Sequence, residues 1–316
     1  MKRILVTGSL GQIGSELVLA LREKYGVNNV IASGRRKPAD SPVVTEGIYE
    51  LLDVNDYDSF LALAKKYQVN VIIHLAAVLS AKAEAEPLKA WHTNMDTLLN
   101  ALEVARETKA MLFTCSSIGA FGPTSPKNHT PQDTIMRPTT MYGITKVAQE
   151  LLCDYYFIKY GVDTRSVRFP GLISNVTLPG GGTTDYAVHI YYDALSKGSY
   201  ASFIAAGTYL DMMYMPDAIR CIIDLIEADG TNLIHRNAYN VSAMSIEPEM
   251  IAQSIRKYLP DFKLTYEVDE TRQNIAASWP NSLDISVAQK EWGFSTAYDL
   301  DMMTKDMLET LKQKIK

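Results

Sequence analysis

Apolar residues recur along the first half of this chain with two alternating periods. Short runs rich in β-branched side chains at residues 3–7, 30–33, 71–75, 111–115 and 165–169 read as strands. Between them, residues 13–25, 57–67, 88–106 and 141–160 place apolar positions three and four apart and read as helices. Repeated strand–helix units of this kind predict an α/β fold with a parallel, doubly wound sheet joined by right-handed crossovers. After Pro170 the alternation breaks, and Pro179 with Gly180, Gly181 and Gly182 is loop chemistry. A smaller region is expected to begin there. The helix-like stretch from Pro216 and the strand-like Tyr239 to Val241 are expected to return to the first unit. The predicted division is therefore 1–170 plus about 214–242 for the first domain, and 171–213 plus about 243–316 for the second.

The glycines between the first strand and first helix fall in the order Thr7-Gly8-Ser9-Leu10-Gly11-Gln12-Ile13-Gly14. A turn that brings backbone against a pyrophosphate needs such residues, and the helix start behind it offers unpaired N–H groups and a positive dipole end. The alternative is an ordinary tight turn. Its place after the first strand of a βα series favours the dinucleotide reading.

The chemistry candidates lie further on. Tyr142 and Lys146 stand four apart on a predicted helix, so both project from one face. An ammonium so placed stabilises the phenolate, which lets the tyrosine take a proton. Upstream, the strand ending Cys115-Ser116-Ser117 supplies hydroxyls; Ser116 reads as a strand-end cap.

Together these marks resemble the extended short-chain dehydrogenase/reductase superfamily, whose glycine spacing, GxxGxxG, is the one found here. Asp53-Val54 after the third strand resembles the adenine-contacting acid, and His74-Leu75-Ala76-Ala77 resembles the strand end that lines the nicotinamide ribose. Asn94 sits where extended members keep an asparagine that organises the active-site helix, although Thr97-Leu98 replaces the usual Gly-Thr. The resemblance implies Ser117 as the hydroxyl that orients the reacting oxygen, Tyr142 as base, and Lys146 and Pro170 at the nicotinamide end.

At the second strand's end NAD-using members carry an acid, whereas this chain reads Gly34-Arg35-Arg36. Without the acid a 2'-phosphate is not repelled, and either arginine can pair with it. NAD is the cofactor the resemblance implies; NADP stays open beside it.

Leu79-Ser80-Ala81, Arg168-Phe169-Pro170-Gly171, the run Gly180 to Ala187 (GGGTTDYA), Met212 to Met215, and Ser278-Trp279-Pro280 are similar to the short-chain type of L-threonine 3-dehydrogenase. That similarity implies oxidation of the 3-hydroxyl of L-threonine. Ser80, Thr183 and the amides of the glycine-rich loop would be donors for the substrate carboxylate. Asp185 would balance the ammonium, and Trp279 would close over a small substrate beside Leu79, Gly182 and Thr184. A sugar-nucleotide epimerase or dehydratase of the same superfamily is the alternative, and a cofactor-sensing module is disfavoured because it needs no Ser117, Tyr142 and Lys146 together.

Composition narrows the partners. With 316 residues, 47% hydrophobic content and a net charge of −5, the chain can bury a large core and has no basic field for nucleic acid. No apolar run approaches a bilayer's span, and Met1 to Arg3 lead straight into the first strand, so the cytoplasm is the expected compartment. Cys115, Cys153 and Cys221 show no paired spacing, and no histidine joins acids or cysteines, so neither disulfide nor metal is expected. Homodimers paired through the helices at 88–106 and 141–160 are what the superfamily resemblance implies.

Overall fold

In the computed structural model, residues 2–178 and 180–314 are described; Pro179, in the expected loop, lies outside them. In chain order the first half contains β1 (Ile4–Thr7), α1 (Gln12–Tyr25), β2 (Val30–Gly34), α2 (Pro42–Thr45), β3 (Tyr49–Leu51), α3 (Tyr57–Lys66), β4 (Val71–His74), α4 (Ser80–Ala85), α5 (Pro87–Thr108), β5 (Met111–Ser117), α6 (Met141–Tyr160) and β6 (Thr164–Phe169). The second half contains β7 (Gly171–Ile173), α7 (Tyr186–Lys197), β8 (Ser199–Ser202), β9 (Leu210–Tyr214), α8 (Met215–Glu227), β10 (Tyr239–Asn240), β11 (Met244–Ile246), α9 (Pro248–Arg256), β12 (Lys263–Tyr266), α10 (Glu270–Ser278), α11 (Ser286–Trp292) and α12 (Leu300–Lys314).

Seven strands form one parallel sheet in the order β10-β6-β5-β4-β1-β2-β3. Strands β1 and β4 are buried at every position, as a sheet covered on both faces requires. One face packs against α1 and α8 through Leu17, Leu21, Ile222 and Leu225; the other packs against α3, α5 and α6 through Phe60, Leu102 and Cys153. The order reverses between β1 and β4, and a crevice opens outside the carboxyl ends of strands at such a switch point. A further core, with Tyr186, Tyr191, Met212, Ile251 and Met307, gathers α7, α9, α12 and the small sheet β11-β9-β7.

Local chemistry sets the helices that matter to the crevice. Helix α6 starts where the Thr140 hydroxyl accepts the Gly143 N–H at 3.1 Å and stops at Gly161, φ +68. Tyr142 and Lys146 thus fall in its first two turns. Helix α1 starts at Gly11 with no side-chain cap, which leaves its first N–H groups facing the crevice. Among the described residues no helix is long and apolar enough to cross a membrane.

Candidate active site

A cavity of about 250 Å³ lies outside the ends of β1, β4 and β5 and is walled on its far side by residues 182–185 and Trp279. Gly8, Gly11, Gln12, Ile13 and Gly14 form one wall; Leu75, Ala76, Ala77, Asn94 and Pro170 continue it. The glycines are demanded by contact. A Cβ on Gly8 (φ +67) would stand 2.8 Å from Ala76 N, and one on Gly14 2.5 Å from Gly8 O. Gln12 Nε2 is buried with no hydrogen-bond partner among the described residues. Bare backbone, an uncapped helix start and a spare amide donor fit a pyrophosphate at this turn.

Five residues singled out in the sequence do not line that cavity. Gly34, Arg35 and Arg36 end β2 beyond it, with both arginines exposed and neither side chain bonded or ion-paired among the described residues. Asp53 is also exposed, and its Oδ1 accepts from the backbone N–H and the side-chain amide of Asn55. The Val54 carbonyl accepts from Asn100 Nδ2 at 2.9 Å.

Ser117, Tyr142 and Lys146 do meet in the cavity. Gly119 lets them approach, because a Cβ there would be 3.2 Å from the Tyr142 ring and 3.5 Å from Ser117 Oγ. Ser117 Oγ accepts the Gly119 N–H at 3.1 Å, while the Tyr142 hydroxyl has no partner among the described residues. Lys146 Nζ lies 5.4 Å from the Tyr142 ring centre and donates to the Cys115 carbonyl and to Gln149 Oε1. Gln149 is in turn fixed by donating to Thr114 Oγ1 at 2.9 Å. Asn94 donates to Thr145 Oγ1 and, through Val78, ties the cavity's edge to α6. Ser116 is not a strand-end cap: its hydroxyl donates to Glu150, which is ion-paired to Arg168 at 2.9 Å within the core.

On the far wall stand Leu79, Ser80, Gly182, Thr183, Thr184, Asp185 and Trp279. The Ser80 and Thr183 hydroxyls are 3.3 Å apart. The expectation that loop amides serve as free donors is corrected here. Gly181 N–H and Gly182 N–H both donate to Asp185 Oδ2, at 2.9 and 2.7 Å, because the carboxylate folds back over its own loop. Burial holds the Asp185 carboxyl above the usual range, against the pull of those two bonds. Its Oδ1 takes no partner among the described residues. Trp279, 5% exposed, keeps its indole N–H buried and without a partner among the described residues.

The partners of several residues around the cavity carried no readable signal in the sequence. His74, fully buried, is pushed down to about 3 by desolvation and secondarily by Lys146, so its ring is neutral. The Thr97 hydroxyl donates to the Thr93 carbonyl, so it accepts from His74 Nε2, and Nδ1 then accepts from Thr7 Oγ1 at 2.9 Å. Thr97, the departure from the usual Gly-Thr, thus anchors the residue before Gly8. Lys127 donates to the carbonyls of Ala277 and Trp279, and its own carbonyl accepts from Asn281 and Ser282. Trp279 therefore sits on a strap stitched to the loop after β5. Among the described residues no group of three histidines, cysteines or acids is placed to hold a metal.

Against known proteins, the NAD dependent epimerase/dehydratase family model matches residues 4–242. An epimerase/dehydratase of uncharacterised activity from Staphylococcus saprophyticus is 59% identical over 100% of this chain and 99% of its own length. The solved structure of L-threonine dehydrogenase from Clostridium difficile superposes with a TM-score of 0.97 at 64% identity, covering 99% of this chain and 98% of that one. L-threonine 3-dehydrogenase from Trypanosoma brucei gives 0.95 at 43% identity over 99% of this chain and 98% of its own.

Proposed function

We propose that this chain, which belongs to the NAD-dependent epimerase/dehydratase family, oxidises the 3-hydroxyl of L-threonine to 2-amino-3-ketobutyrate. The observation that carries the reading is the cavity itself. Lys146 is the single lysine or arginine on its wall among the described residues. A diphosphate-linked sugar would call for more cations. A small zwitterion does not.

In this reading the Ser80 and Thr183 hydroxyls and the unpaired Trp279 indole N–H receive the carboxylate, while Asp185 Oδ1 faces the ammonium. Ser117 orients the 3-hydroxyl oxygen. Lys146, aimed by Cys115 and Gln149, stabilises Tyr142 as the phenolate, and that phenolate takes the 3-hydroxyl proton and becomes a neutral phenol. When bound, the nicotinamide accepts hydride from C3. The buried wall of Trp279 and Thr183 keeps water out of that transfer. The product, a β-keto acid, can lose carbon dioxide to give aminoacetone or be cleaved to glycine. The Gly8–Gly14 turn holds the dinucleotide, NAD or, through Gly34-Arg35-Arg36, NADP. Residues 1–170 with about 214–242 serve as its domain, and 171–213 with about 243–316 supply the substrate wall. Exposed Leu88, Leu151, Tyr155 and Ile158 on α5 and α6 support pairing of two copies.

The test is an initial-rate assay crossing L-threonine with NAD and NADP, read as growth of reduced-cofactor absorbance. Threonine-dependent growth, lowered at least a hundredfold in Tyr142→Phe, is the expected result. Turnover of UDP-sugars without net reduced cofactor would replace this reading with the epimerase one.

A further inference from the structure

A Cβ on Gly34 would stand 2.7 Å from the Tyr49 hydroxyl oxygen and 3.9 Å from Leu10 Cδ1. A side chain at position 34 would therefore point toward the glycine-rich turn, where adenosine ribose lies in a dinucleotide site of this fold. An aspartate's oxygens sit two bonds beyond its Cβ. The phenol oxygen of Tyr49 fills that same shell. It arrives from β3, whose register with β2 sets Tyr49 opposite Ala32, and the residue is 7% exposed. The hydroxyl donates to the Arg36 carbonyl, so its proton is committed; the Ser9 hydroxyl lies within its reach but donates to the Ser33 carbonyl, which leaves the phenol oxygen to act as an acceptor. Burial pushes the phenol's pKa up, which keeps it neutral in ordinary buffers. Directly after Gly34, the Arg35 and Arg36 guanidiniums are exposed and have no partner among the described residues.

We propose that Tyr49 stands in for the missing ribose-binding acid, its neutral hydroxyl accepting from an adenosine ribose hydroxyl, so that the site takes NAD without repelling the 2'-phosphate of NADP. Discrimination then rests on one hydrogen bond for NAD and on Arg35 and Arg36 for NADP. The two positions are also coupled. An acid cannot be installed at residue 34 while the phenol oxygen occupies its place. This inference rests on the dinucleotide reading of the Gly8–Gly14 turn and not on threonine as substrate.

Calorimetric titration of the full-length protein with NAD and with NADP tests it, using Tyr49→Phe, Gly34→Asp and the double variant, each first checked for an unchanged melting transition. Tyr49→Phe keeps the ring and loses the acceptor, so NAD binding is expected to weaken by roughly 3–10-fold, the range of one hydrogen bond. Gly34→Asp is expected to weaken NADP at least tenfold with no gain for NAD. Adding Tyr49→Phe to it frees the space, and NAD affinity is expected to rise about fivefold or more over Gly34→Asp alone. Unchanged NAD affinity in Tyr49→Phe overturns the proposal. So does a Gly34→Asp variant that alone gains as much NAD affinity as the double. If the unaltered protein binds neither dinucleotide, the reading of the glycine turn fails and takes this inference with it, a result distinct from either variant's behaviour.

Discussion

Replacing Asp211 by asparagine should make the protein more stable in alkaline buffer and leave it nearly unchanged in acid. Asp211 on β9 is 2% exposed; its carboxylate accepts from the Ser242 hydroxyl at 2.5 Å and from the Leu283 N–H at 2.6 Å. Desolvation outweighs those two bonds and pushes the carboxyl up to about 7. A raised acid in the folded state binds its proton more tightly than the unfolded chain does. Its contribution is therefore complete below the ordinary value near 4 and is lost as the pH climbs through 7. A difference of about 3 pH units corresponds to about 4 kcal/mol as an upper limit. Asparagine copies the protonated form: its carbonyl accepts from Leu283, and its amide donates to a Ser242 hydroxyl turned to accept. Thermal melts of both proteins from pH 4 to 8.5 should coincide at the acid end. They should diverge with rising pH until the variant melts on the order of 5 °C higher. A gap that is constant across the range, or a variant that is the less stable at pH 8.5, would refute the assignment.

Three further outcomes are expected. Arg168→Met strands the buried Glu150 carboxylate and should cost about 3–5 kcal/mol in denaturant unfolding, most of it recovered when Glu150→Gln is added. Lys127→Met removes the cation that donates to the Ala277 and Trp279 carbonyls at the end of α10; the KM for the proposed substrate, threonine, should rise about fivefold while cofactor affinity from calorimetry stays put. Ile158→Glu places a charge at the most exposed apolar position of α6 and, on the proposed pairing of two copies through that helix, should bring the light-scattering mass from twice 35.1 kDa down to 35.1 kDa.

What could be read from the sequence follows from how local each requirement is. Gly8, Gly11 and Gly14 are visible because a close backbone approach leaves one residue type to choose, and Tyr142 and Lys146 because helical spacing alone puts them on one face. Strands β1, β2, β4, β5 and β6 showed as β-branched runs and lie within one or two residues of their expected bounds. Strand β3 has three residues, too short for a period to show, and with it went any sign that Tyr49 lies under Gly34. Helix α7 carries a usable apolar repeat, but its start is hidden in the glycine-rich motif that drew the reading toward ligand contacts. Pairs that close between distant residues are of another kind: His74 with Thr97, Gln149 with Thr114, Lys127 with Trp279 and Asp211 with Leu283. Each joins residues 23 to 152 positions apart, and no pattern within one element announces such a partner. Asp185 shows the opposite hazard. Its position beside the loop was legible, yet its choice of the loop's own amides over a ligand was not.

Surface connections in most proteins accept added residues with little harm, because they bear on nothing but their own ends. The loop after β5 does not have that freedom. Residues 127–130 exchange backbone hydrogen bonds with Asn281, Ser282 and Asp284, and a bridge joins Thr130 to Leu283. The two segments behave as the two edges of a seam, stitch against stitch. Lengthening either one would slip every later stitch and carry Trp279 out of the cavity wall, so over generations of drift the two stretches must keep their lengths in step. That seam is a place where insertion is a change to the site itself.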